Sequence, residues 1–149
     1  PIIQIPVPKG KTITAKYYRD VVLRKLKKVY KRRRPQTGLK NLRLLHDTAP
    51  THKARIVTEF LKAEKVTVLP HPAYSPDLAP CDFFLFHKLK FHLSGKKSKS
   101  RNALGSVIYQ YLMSIPIQEY ENCFQKWIDR LKRCINAEGE YFEGQGKVK

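Results

Sequence analysis

Acidic residues are scarce in this sequence: 12 Asp+Glu stand against 30 Lys+Arg, a formal net charge of +18 over 149 residues. A folded chain with that imbalance is relieved by a polyanion, so nucleic acid is the leading expected partner. Cysteine is scarcer still. Cys81, Cys123 and Cys134 make no C-x-x-C pair and are odd in number, which argues against a zinc ribbon and a disulfide framework and for reduced thiols in a reducing compartment. Long apolar runs are missing as well. None approaches the roughly 18 residues that a membrane span requires, and the opening PIIQIPVPKG has no charged leader and no cleavage site. No membrane partner is therefore expected, and the chain reads as soluble and intracellular. It starts with Pro, inside an extended-looking segment, so the sequence is expected to be a piece of something longer.

What is present suffices for a core: the hydrophobic fraction is 42%, ordinary for a globular chain whose length fits one domain. Ile2 to Val7 reads as a short strand closed by Pro8 and Gly10. From Thr14, the spacing of Tyr18, Val22, Leu26 and Val29 predicts one face of a helix that ends at RRRP. LRLLHD, Leu42 to Asp47, and VTVLP, Val66 to Pro70, read as buried strands. Between them Ile56, Val57, Phe60 and Leu61 form a helical stripe with Thr51 available as cap. Strand, helix, strand in this order predicts a parallel unit with a crossover helix.

The Pro-rich HPAYSPDLAPCD follows, and a helix resumes at Asp82 with Phe86, Leu89 and Leu93 facing inward. After the basic loop SGKKSKSRN come two helices. Leu104, Val107, Ile108, Tyr111 and Leu112 mark the first; Tyr120, Phe124, Trp127, Ile128, Leu131 and Ile135 mark the second, as core-facing stripes. The tail EGQGKVK is expected to fray.

Two basic clusters are candidate phosphate contacts. One is the run Lys25, Lys28, Lys31, Arg32, Arg33 and Arg34, which equally reads as a solvated face or a nuclear-import signal; the other is Lys96, Lys97, Lys99 and Arg101 in the loop. Among the acids, Asp47 falls at the carboxyl end of a predicted parallel strand, where side chains project into the crevice of an open α/β sheet. A carboxylate there calls for a partner, and a hard cation such as magnesium is one. Asp82 reads either as a helix N-cap or as a second ligand, and Asp77 as a turn residue. His46, His52 and His71 lack H-x-x-x-H spacing, so they read as hydrogen-bonding residues near the crevice and not as a zinc site.

The wording of these segments carries more than their composition. LLHDTAPTH followed by VLPHPAYSPDLAPCDFFLF resembles the catalytic core of mariner-family transposases, which read His-Asp-Asn-Ala-Pro-x-His and then Leu-Pro-His-x-x-Tyr-Ser-Pro-Asp-Leu-Ala-Pro-x-Asp. Asp47 and Asp82 have 34 residues between them, positions 48 to 81, the interval that separates the family's second and third metal-binding carboxylates. PKGKTITAKYYRDVVLRKL resembles the family's helix before the second Asp, and RLKRCINAEGEYFE its C-terminal ending, so nearly the whole chain is covered.

The resemblance implies an α/β fold of the RNase H-like, retroviral-integrase-like kind with extra C-terminal helices. It implies two Mg2+ or Mn2+ ions held by three carboxylates, and DNA strand cleavage and transfer at transposon ends in the nucleus. Asp47 and Asp82 would be catalytic metal ligands, with His46, His52, His71 and Asp77 in support. It also leaves room for a homodimer.

The chain departs from the pattern in three places. It contains no Gly-Asp, the context of the family's first carboxylate; Thr48 stands where Asn is usual; and Leu131 stands where Trp is usual, with Trp127 one helical turn earlier. The expectation is therefore an N-terminally incomplete catalytic domain, 1–149, lacking the first strand and the DNA-reading domains. Such a chain would bind DNA by charge and cleave poorly alone. Asp20, on the exposed side of the first helix, and Glu59 and Glu64, on the crossover helix, are not expected to replace the missing acid. The competing readings are a domesticated non-catalytic DNA-binding module and the transposase-derived part of a methyltransferase fusion.

Overall fold

The computed structural model describes residues 3–139. They fall into two compact units, divided between Ala73 and Tyr74, and each is taken by itself. The expected fraying of EGQGKVK lies outside the described residues.

Helix α1, residues 15–33, opens the first unit. Thr14 caps it, its hydroxyl oxygen accepting the Tyr17 N–H at 3.2 Å. The helix is α-helical over Ala15–Tyr17 and Arg24–Arg33 and π-helical over Tyr18–Leu23. That wider turn changes which residues share a face, because its hydrogen bonds run from i to i+5. Leu23, five residues beyond Tyr18, is the helix residue driven to 3% exposure, with Tyr18 and Leu26 packed on the same cluster. The simple spacing of Tyr18, Val22, Leu26 and Val29 passes over it.

Strand β1 (Arg43–Leu45), a one-turn helix α2 (Pro50–Lys53), helix α3 (Arg55–Ala63) and strand β2 (Thr67–Leu69) follow. The strands pair in parallel with Leu44 opposite Val68, so the expected crossover unit is present, its strands shorter than the apolar runs that predict them. Thr51 is not the crossover helix's cap. The chain breaks at Ala54 (ψ 139°), and the Thr51 hydroxyl donates instead to the Ile13 carbonyl at 3.2 Å; nothing in the residue types at 53–55 marks that break. Residues 3–7 adopt no regular element, contrary to the strand expected there. Pro6 and Pro8 lack the N–H groups that a ladder would use.

Leu23, Val57 and Leu61 form the core, with Leu44, Phe60 and Val66 packed around them, while Ile56 of the predicted stripe is 36% exposed. Lys27 of α1 pairs with Glu64 just past α3, which closes the same interface at its rim.

In the second unit a 3-10 turn, Pro76–Leu78, buries Leu78 and leads into helix α4, residues 81–93, again π-helical at its start (Cys81–Phe86) and α-helical over His87–Leu93. The π turn reorders the aromatics. Phe86, expected inside, is 48% exposed, whereas Phe84 meets Tyr120 edge-on at 5.9 Å and Phe83 lies under the Arg130 guanidinium at 4.5 Å. Helices α5 (Arg101–Ser114) and α6 (Ile117–Asn136) complete the unit, with Ser100 capping α5 through the Ala103 N–H at 3.1 Å.

On α6 the expected core stripe is only half used: Tyr120, Trp127 and Leu131 are half-buried, but Phe124, Ile128 and Ile135 are exposed, and the buried residue is Cys123, outside the stripe. The apolar arc of this helix is wider than the face that packs within the unit. Among the described residues no helix is long and apolar enough to cross a membrane.

If this division is right, Leu61→Ala should cost about 2–5 kcal/mol in urea denaturation, and Ile135→Ala no more than about 0.5 kcal/mol. Equal losses would contradict the placement of the core.

Candidate functional site

Parallel pairing stops at Leu45, and the next two residues are His46 and Asp47. Pro50 then starts the one-turn helix α2, whose His52 N–H donates to the Ala49 carbonyl at 2.9 Å, so the chain folds straight back on the strand end. This brings His52 onto Asp47. His52 Nδ1 donates to Asp47 Oδ1 at 2.6 Å, and the Ala49 N–H donates to the same oxygen at 3.0 Å. Both bonds fall on Oδ1. The carboxylate is nonetheless 67% exposed, so one oxygen is fixed while the side chain stays open to solvent. The Ala49 N–H, helped by His52, holds the Asp47 carboxyl below its ordinary range against the opposing effect of burial.

The histidines are ordered by a residue that sequence spacing assigns only to the core. Tyr18, on the π-helical turn of α1, donates its hydroxyl to His46 Nδ1 at 3.2 Å and sets its ring 4.4 Å from His52. The His46 and His52 rings stack 4.7 Å apart, 8° from parallel. Burial, then the neighbouring His52, lowers the His46 pKa, which keeps the ring a neutral acceptor. Burial, then Asp47, raises Tyr18 to about 12, which keeps the hydroxyl a donor. Both shifts favour the one hydrogen bond that joins α1 to the strand end. No sequence signal marks Tyr18 for this role, because only the π turn aims it there.

The remaining candidates sit as follows. His71 is half-buried two residues past β2, outside the stacked pair. Asp77 lies in the 3-10 turn, and its carbonyl accepts from Arg130 Nη1 at 3.1 Å, a tie between α6 and the turn that precedes Asp82. Asp82 is exposed in the first turn of α4 and is not used as its cap: Pro80 occupies that position, and no side chain caps the helix.

Asp20, Glu59 and Glu64 are engaged elsewhere. Asp20, expected on an exposed side, is half-buried between Arg19 (2.8 Å) and Arg24 (3.1 Å), which hold its carboxyl near 2; Glu59 pairs with Arg55 and Glu64 with Lys27. Among the described residues no group of three or more His, Cys, Asp or Glu side chains is arranged to hold a metal ion. In donor chemistry, though, an exposed carboxylate with one oxygen fixed fits a hard divalent cation better than zinc. Lys25, Lys28, Lys31, Arg32, Arg33 and Arg34 are all exposed along and just beyond the last turns of α1, as are Lys96, Lys97, Lys99 and Arg101 around the start of α5.

Residues 3–105 match the DDE superfamily endonuclease family, and the chain belongs to it. Its homology within that family is to the catalytic domain of mariner transposases, with the RNase H-like fold that the motifs imply. The chain is 32% identical over 138 residues to the Mariner Mos1 transposase of Drosophila mauritiana, covering 91% of this chain and 39% of the relative. To the histone-lysine N-methyltransferase SETMAR of Homo sapiens it is 29% identical over 134 residues, 90% of this chain and 20% of that one. The chain thus spans well under half the length of either protein.

Two solved structures superpose closely. The Mos1 catalytic domain with Raltegravir and Mg gives a TM-score of 0.81 at 32% identity, covering 89% of this chain and 67% of that one. The Mos1 paired-end complex with the left transposon end gives 0.84 at 32% identity, covering 91% and 39%.

The Tyr18 contact has a pH signature. Because its folded pKa of about 12 lies above the ordinary 10.0, its contribution to stability is complete below pH 10 and is lost as pH rises towards 12. Alkaline titration at 295 nm should show a late-ionising tyrosine that Tyr18→Phe removes. Loss of an ordinary step near pH 10 in that variant would contradict the buried hydrogen bond.

Proposed function

We propose that this chain is the part of a mariner-type catalytic domain that supplies two metal-binding carboxylates and a basic DNA surface for cleavage and transfer of DNA strands. The observation that carries the reading is Asp47: a strand-end carboxylate with one oxygen tied to Ala49 and His52 and the side chain open. Asp82, uncapped and exposed at the required interval, is its partner in the motif. Divalent ions, when bound, polarise the attacking oxygen and stabilise the leaving one during in-line displacement at phosphorus.

The protein's share is positional. His52 and the Ala49 amide fix the Asp47 carboxylate, Tyr18 and His46 hold His52 in its stack, and Arg130 braces the turn before Asp82. The Mn and Mg in structures of the Mos1 catalytic domain support Mg2+ or Mn2+ as the ions here. The paired-end complexes of Mos1 support transposon-end DNA as substrate and two copies of the chain as the working unit. The site of action would be the nucleus, with the Lys25 to Arg34 run as import signal.

A second reading has its own support. Identity to SETMAR over 90% of the chain fits the transposase-derived part of a methyltransferase fusion.

Replacing the matching segment of the Mos1 catalytic domain with this chain separates the readings. The chimera should nick a transposon end in Mg2+ or Mn2+, and Asp47→Asn or Asp82→Asn should each reduce nicking to background. A folded chimera that binds the end and fails to nick, or whose nicking survives both substitutions, would overturn the catalytic reading.

A further inference from the structure

Helix α4 carries a phenyl ring that the second unit does not use. Phe91 is 83% exposed, although its helix neighbours Phe83 and Phe84 each pack against a partner, and it makes no ring contact among the described residues. Immediately beyond it the helix stops. The Ser94 N–H donates to the carbonyls of Lys90 (3.0 Å) and Phe91 (3.2 Å), Gly95 turns the chain at φ 72°, and the Lys96 N–H returns to the Leu93 carbonyl at 3.1 Å. That turn presents the basic loop at the end of the helix that bears Phe91. Lys96 is further steadied by His92 Nε2, 3.2 Å from its Nζ, and His92 in turn stacks on Tyr111 at 4.0 Å.

The charge around the ring is of one sign. From Phe83 to Gln118 the sequence holds no Asp or Glu, while Lys90, Lys96, Lys97, Lys99 and Arg101 flank Phe91. An exposed aromatic in a lysine-rich surface is a poor protein-docking patch, since lysine is depleted at protein interfaces. It matches the way proteins hold unpaired nucleic acid, with an aromatic ring under a base and cations on the adjoining phosphates.

We infer that Phe91 is a stacking platform for an unpaired nucleobase of DNA, with Lys90, Lys96 and Lys97 on the flanking phosphates. The inference rests on the DNA-binding reading above and narrows it: this part of the surface selects DNA whose bases are free of the duplex.

Anisotropy titrations of the 149-residue chain with single-stranded oligo-dT and with blunt duplex DNA test it. The expected result is that Phe91→Ala weakens single-strand binding about 5- to 150-fold, the range set by one base stack, with duplex binding within about twofold and the salt slope unchanged. Phe91→Trp should restore single-strand affinity. Lys96→Gln with Lys97→Gln should lower the single-strand salt slope by about 0.7 per lost contact. Equal affinities of wild type and Phe91→Ala for oligo-dT would overturn the platform and leave the DNA-binding reading intact. Failure of the wild-type chain to bind either DNA would overturn both. Circular dichroism of the variants checks that the fold is kept.

Discussion

The packing of Leu23 against Val57 and Leu61 is the constraint on which the first unit depends. Among the described residues the sheet has two short strands and little surface of its own, so α1 and α3 bury each other around it. The π-helical turn in α1 makes that contact possible and at the same time points Tyr18 at the strand end. Core and candidate site are thereby joined through one turn of helix. The stacked histidines and the fixed oxygen of Asp47 follow from where that turn puts the tyrosine.

Charge is the second organising fact. Against 30 basic residues stand 12 acidic ones, and the structure pairs several of these acids with a cation: Asp20 with Arg19 and Arg24, Glu59 with Arg55, Glu64 with Lys27, Glu119 with Lys88. Asp47 and Asp82 are not among them. Asp47 is bonded by an amide and an imidazole, not by Lys or Arg, and Asp82 caps nothing.

Much of this was legible in the sequence, and the limits have physical causes. The crossover unit could be read because two β-branched and leucine-rich runs flank an amphipathic segment. Motif wording and interval single out Asp47 and Asp82 in the sequence; the structure adds that one oxygen of Asp47 is fixed and that Asp82 is exposed and caps no helix. Leu23, Phe83 and Phe84 were not legible, since a period of 3.6 does not anticipate π turns, and the same slip placed Phe86 inside. Tyr18 looked like core because its ring does pack there while its hydroxyl does something else. On α6 a continuous apolar stripe signalled burial, yet periodicity reports only that a face is apolar, never that a partner covers it.

The central proposal is that Asp47 and Asp82 are metal-binding carboxylates, as the mariner motif implies. Its most direct test is Mn2+ binding followed by electron paramagnetic resonance in wild type, Asp47→Asn, Asp82→Asn and the double variant. If the two carboxylates share the ion, each single substitution should weaken binding and the double variant should lose less than the sum of the two single losses. Independent, additive losses, or binding unchanged by either substitution, would contradict the account.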